Sequence, residues 1–130
     1  MKNLLYLAIA FLVLSACSQA SPEEEAAKAA QGYYARLLDN SPEDFLKGRV
    51  GADSLPEAYK AQLLKNYQQY MEEMVETHGG IREVRVSENT GYRDTTQNLT
   101  YVFLMLCFND STQEEVTVPM LNVSGEWKMK

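Results

Sequence analysis

The chain has 130 residues, with 12 basic against 18 acidic side chains, a net charge of −6 and two cysteines. That length supports one domain with a true core and leaves little room for two. The acidic balance disfavours nucleic acid and electrostatic docking on anionic headgroups, because those partners carry the same sign of charge.

Lys2 precedes an apolar run from Leu4 to Leu14, interrupted by Tyr6 and small alanines, which is the layout of a secretory signal peptide. The run is too short to cross a bilayer as a helix, for which about 20 apolar residues are needed. It ends in Leu14, Ser15, Ala16 and Cys17, and these four residues resemble the lipobox of bacterial lipoproteins. The resemblance implies cleavage before Cys17, a diacylglycerol on its thiol and acylation of the new amino group. Residues 1–16 are then a signal peptide, 17–21 a lipidated tether and 22–130 a single domain. The expected address is the bacterial cell envelope, with the outer membrane favoured. An ordinary signal cut among Ser18, Gln19 and Ala20 is the alternative, and it would give a soluble secreted protein. With an acidic domain, the contact with the membrane is expected to come from acyl chains on Cys17. Two or three chains are needed for a lasting hold, since one alone is marginal at about 0.8 kcal/mol per buried methylene. Cys107 would then be the remaining thiol, without an intrachain partner, and its apolar surroundings predict burial.

Three helix starts follow. Ser21, Pro22, Glu23 and Glu24 combine an N-cap, a proline at the first position and a capping-box carboxylate. Ser41, Pro42, Glu43 and Asp44 repeat the device, and Ser54, Leu55, Pro56 and Glu57 repeat it with the proline one place later. The first helix carries Ala26, Ala30, Tyr33, Tyr34, Leu37 and Leu38 on one face and is expected to end near Asp39 and Asn40. A short second helix carries Phe45 and Leu46 and breaks at Gly48 and Gly51. In the third, Tyr59, Leu63, Tyr67, Tyr70, Met71, Met74 and Val75 line one side, with Lys, Gln and Glu residues opposite. Gly79 and Gly80 should cap it after His78.

Beyond Gly80 the period becomes alternating. A strand is expected over 81–88 with Val84 and Val86 inward, then a polar, turn-rich stretch to Gln97. Leu99 to Phe108 is apolar on both faces, so it calls for cover on both sides: helices on one, and a second subunit, a loop or a ligand on the other. A strand over 114–122 turns Val116 and Val118 inward, with Pro119 at an edge or a bulge. After a turn at Ser124 and Gly125, Trp127 and Met129 point to the core. The fold class is α+β, with N-terminal helices packed on an antiparallel sheet.

The lipobox, the Ala-rich helix from Pro22, the Gly79–Gly80 break and the ending Gly125, Glu126, Trp127, Lys128, Met129 resemble small bacterial lipoproteins of unknown function. Those carry a cystatin-like cone domain of the nuclear-transport-factor-two-like superfamily. The resemblance implies a curved sheet wrapped around a long helix, enclosing a cone used for catalysis, binding or dimerisation. Members commonly have a short early strand, and here residues 47–53 are Gly-rich, with Val50 alone favouring one.

Enzymes of that superfamily place an Asp or His, often with a Tyr, inside the cone. His78 falls at a helix end, where an imidazole can bind the last carbonyls, and no expected core-facing strand position holds an Asp, Glu or His, which argues against a catalytic base. Neither a metal nor another cofactor is expected, because the chain has no His or Cys cluster and no EF-hand spacing. The sequons at Asn98, Asn109 and Asn122 are incidental behind a bacterial lipobox. Tyrosines turn inward in number, and a cone lined by Tyr34, Tyr67, Tyr70, Tyr101 and Trp127 could hold a small, mostly apolar ligand; plain core packing is the simpler role. The functional expectation is an anchored, non-catalytic domain that binds a ligand or partner. Its alternatives are a small isomerase- or hydrolase-like enzyme in the cone, and an assembly module forming a homodimer through the sheet.

Overall fold

The computed structural model describes residues 20–130; the leader and Cys17, with its expected lipid, lie outside them. Helix α1 (Pro22–Leu38) starts as its sequence predicts. Ser21 is extended and its hydroxyl accepts from the Glu24 N–H at 3.2 Å, while Glu23, Glu24 and Glu25 occupy the positive end of the helix. The helix ends where Asn40 takes a left-handed φ of 59°, which lets the Ser41 N–H reach the Arg36 carbonyl at 2.8 Å.

Helix α2 (Pro42–Lys47) buries Phe45 and Leu46, although Ser41 makes no side-chain cap. Ser54 is not the cap of the next helix either. Residues Ala52–Ser54 are spent on a 3-10 turn, and the extended Pro56 leads directly into α3 (Glu57–His78). Gly79, at φ 76°, ends α3 as expected, because its left-handed backbone turns the chain toward the sheet without a Cβ clash.

The sheet comprises β1 (Ile81–Val86), β2 (Tyr92–Asp94), β3 (Leu99–Phe108), β4 (Gln113–Val123) and β5 (Glu126–Met129), in the order β1-β3-β4-β5, with β2 also paired to β3. The polar stretch expected after β1 therefore contains a short strand, pairing Tyr92 with Tyr101 and Asp94 with Leu99. Ser124 and Gly125, both at positive φ, close the β4–β5 hairpin in the manner that suits the twist of the strands. Pro119 lies in β4, between β3 and β5 rather than at an outer strand. Its carbonyl accepts from Lys130 N–H, so its missing donor faces the β5 side, where that strand runs out, and the β3 ladder is intact. An early strand exists in minimal form: Arg49 bridges Met129 in parallel, with Met129 N–H to Gly48 O and Val50 N–H to Met129 O both at 2.7 Å.

One core joins these parts. Ala26, Ala30 and Leu37 of α1 pack on Val102, Leu104, Leu106 and Phe108 of β3, on Val118 and Met120 of β4 and on Met129. The small alanines let α1 approach the sheet closely, so α1 fills much of the cone. Helix α3 is less well covered than its pattern suggests. Leu63 is buried and Tyr67, Met71 and Met74 are half-buried, but Tyr59 and Val75 remain 48% and 60% exposed.

Candidate functional site

The remaining space in the cone opens between α1, α2, α3 and the β4–β5 end of the sheet. There Tyr34, Phe45, Arg49, Tyr67, Val118, Pro119, Met129 and Lys130 surround a cavity of about 200 Å3. Its aromatic wall is ordered by edge-to-face contacts. Phe45 meets Tyr34 at 5.1 Å and Tyr67 at 4.9 Å between ring centroids, with interplanar angles of 85° and 88°. Tyr70 stands one helical turn from Tyr67 and close enough to act on the Tyr34 phenol. Burial, then the charges of Tyr70 and Tyr67, push the Tyr34 pKa above the usual tyrosine value; burial and then Glu114 raise Tyr70. Both phenols therefore stay protonated at neutral pH and act as donors. Among the described residues neither hydroxyl has a hydrogen-bond partner, whereas Tyr67 accepts from Arg49 Nη1 at 3.4 Å.

Of the residues expected to line a pocket, Tyr34 and Tyr67 line this cavity, and Tyr70 stands beside it without lining it. Tyr101 does not join them. It pairs with Pro119 on the outer face of the sheet and stacks on Tyr92 at 5.0 Å, while its neighbours Val102 and Leu104 take the helix side. A strand apolar on both faces reveals two faces without saying which one the helices cover. Trp127 is on the helix side but packs beneath α1, where Tyr33 Oη donates to its carbonyl at 2.6 Å. Its indole N–H is buried with no acceptor among the described residues. Tyr59 is exposed. Cys17 is outside the described residues, and Cys107 is buried as expected.

Two residues lining the mouth and one beside it were missed. Phe45 was assigned to the core without a place in the pocket. Arg49 carries no periodic signal, since a single bridge fixes it. Glu114 had a signal: it alternates with Val116 and Val118, which puts it on the helix-facing side at the exposed rim near Tyr70. The expectation that no such strand position is acidic is therefore corrected. His78 has a structural role, though not with the helix carbonyls. Its ring stacks on Phe108 at 4.1 Å, and Nδ1–H donates to Asp110 Oδ2 at 2.8 Å, joining the end of α3 to the β3–β4 turn. The Asp110 carboxyl, held chiefly by Thr112 and then by His78, is lowered to about 2.

Two further surfaces border this region. Leu37, Leu38, Pro42, Tyr67, Met71 and Val75 line a groove of about 580 Å3 between α1 and α3. On the outer face of the sheet, Tyr92, Tyr101, Phe103 and Met105 form a partly exposed apolar band. Among the described residues no group of three or more His, Cys, Asp or Glu side chains could hold a metal ion, and no helix is long and apolar enough to cross a membrane.

Neither a protein-family model nor a curated protein matches the chain. A crystal structure from Campylobacter jejuni, described as an NTF2-like transpeptidase, matches with a TM-score of 0.54 at 11% identity, over 77% of this chain and 92% of that one. Three helices on a curved antiparallel sheet, together with that likeness, give the nuclear-transport-factor-two-like cone fold.

Proposed function

We propose that the chain is a lipid-anchored protein of the bacterial envelope whose cone domain binds a small, mostly apolar ligand at its aromatic mouth without catalysing a reaction. The observation that carries the binding part is the mouth itself, where two phenols, Tyr34 and Tyr67, and the ring of Phe45 surround an open cavity and the Tyr34 hydroxyl has no hydrogen-bond partner among the described residues. Apolar walls with a few polar groups converging on them are the usual make-up of a small-ligand site. The anchoring part rests on Leu14, Ser15, Ala16 and Cys17 at the end of the apolar leader. Transfer of the kind named for the Campylobacter protein calls for a nucleophile beside a base. Thr117 is the one aliphatic hydroxyl lining the mouth, and no imidazole or carboxylate lines it with Thr117. This composition favours binding.

Native mass spectrometry of the protein purified from its own host tests both parts. The expected species begins at Cys17, carries two or three acyl chains and retains a small molecule that Tyr34→Ala releases. An unacylated chain beginning at Ser21 would remove the anchor, and an empty protein that binds no member of a metabolite extract would remove the ligand.

A second reading concerns the outer face of the sheet, whose band of Tyr92, Tyr101, Phe103 and Met105 suits a second copy of this chain. Tyr92 is 53% exposed there, a large apolar ring with solvent on one side.

A further inference from the structure

The cation at the mouth specifies the ligand more closely, on the premise that the mouth is a binding site. Arg36, Arg82 and Arg85 each lie within 4.0 Å of a carboxylate. Arg49 is half-buried and, among the described residues, has no carboxylate that close; its side-chain partner is the Tyr67 hydroxyl at 3.4 Å. A guanidinium has five N–H donors, and one long bond leaves most of them to be satisfied. Partial burial makes that deficit costly, because a cation withdrawn from water needs an anion or a set of acceptors in exchange. The group is also held in place, since the main chain on either side of it is bonded to Met129. It shares the cavity with the rings of Tyr34, Phe45 and Tyr67 and with Thr117, Val118, Pro119 and Met129, and Lys130 is the other cation lining it.

We propose that Arg49 receives the carboxylate of a small monoanionic acid whose apolar body rests against Tyr34, Phe45 and Tyr67. The planar fork of a guanidinium matches a carboxylate in two parallel bonds. The Tyr34 hydroxyl, kept protonated by its burial, is a further donor for the same group. A phosphate fits less well. It brings more charge into a chain of net charge −6, and the mouth offers it two cations, Arg49 and Lys130, and no helix N-terminus. The volume of about 200 Å3 lies below the roughly 300–1,000 Å3 of drug-sized sites, so the acid is a compact one, with about one ring or a short branched chain.

Benzoate and its neutral isostere benzamide separate the charge from the shape. In an NMR titration of the full chain, benzoate is expected to shift the resonances of Phe45, Tyr67 and Met129, and benzamide to bind the same place about tenfold or more weaker. Arg49→Gln is expected to lower benzoate affinity about tenfold or more while leaving benzamide unchanged, with Arg49→Lys in between. Equal affinity of the wild-type protein for the two probes would overturn the carboxylate assignment and leave the mouth standing, and so would an Arg49→Gln protein that holds benzoate normally. If neither probe perturbs the mouth, the binding site and the assignment fall together. The wild-type comparison decides the matter even if Arg49→Gln folds poorly.

Discussion

Two glycines show how differently the same residue serves this chain. Gly32 lies inside α1, where a Cβ would meet nothing within 4 Å, so its backbone freedom is a cost without a steric return. Gly48 sits under the ring of Tyr33, and a Cβ there would come within 2.6 Å of that ring. Gly32→Ala should therefore raise stability by about 0.5–1 kcal/mol, and Gly48→Ala should lower it by roughly 1–3 kcal/mol through overpacking. Urea denaturation of the two variants checks both signs, and a shift of the same sign in both would contradict the packing of Tyr33. At this scale the sequence was readable wherever a residue acts on its near neighbours. Ser21 caps the helix beginning one residue later, and Gly79 ends the helix that precedes it. It was unreadable where the partner lies far along the chain: Arg49 depends on Met129, and Tyr101 depends on which side of the sheet the helices take.

Among the elements, β3 and α3 were equally plain as patterns, yet they are held unlike one another. The ten residues of β3 pair with β1 and β2 on one side and with β4 on the other, so its apolar run is explained by a central place in the sheet. The apolar face of α3 is covered in its middle and left open toward its ends, because periodicity states what a face could bury and not what arrives to cover it. The C-terminal end of α3 relies on the pairing of His78 with Asp110. The carboxyl titrates near 3.8 when free and at about 2 in the fold. A depressed folded pKa means that the stabilisation is fully present above the free value and is lost as pH falls from near 4 through 2. The melting temperature of the wild-type protein should therefore fall more steeply over that interval than that of Asp110→Asn, and parallel curves for the two would show that the Asp110 carboxylate, held first by Thr112 and then by His78, contributes nothing. The short strand β2 escaped notice because three residues among turn formers carry no period.

For the molecule as a whole, the order of helices before sheet was legible from the change of period at Gly80 and the cone was implied by the resemblance to nuclear-transport-factor-two-like domains, while its filling was not legible. The alanines of α1, which identify a helix face, also bring that helix down onto the sheet and leave an open mouth where the resemblance implied an enclosed cone. Charge and surface then make opposing contributions to association through the outer band. Two copies of a chain with net charge −6 repel one another, while Tyr101 and Phe103 gain by leaving water. A dimer built this way should tighten as salt screens the repulsion. In sedimentation velocity the dimer fraction is expected to rise with salt, and Phe103→Lys is expected to give monomer at every salt concentration. A wild-type protein that stays monomeric at tens of micromolar in high salt would rule out the second copy.

The parallel bridge of Arg49 with Met129, and the bond from Tyr33 to the Trp127 carbonyl, tie the first helices to the final strand. The mouth therefore cannot assemble until a ribosome has released residues 126–129. Residues 126–129 thus act as a late fastening, because the contact of Tyr33 with Trp127 spans 94 residues of chain and makes closing the mouth a long-range step in folding.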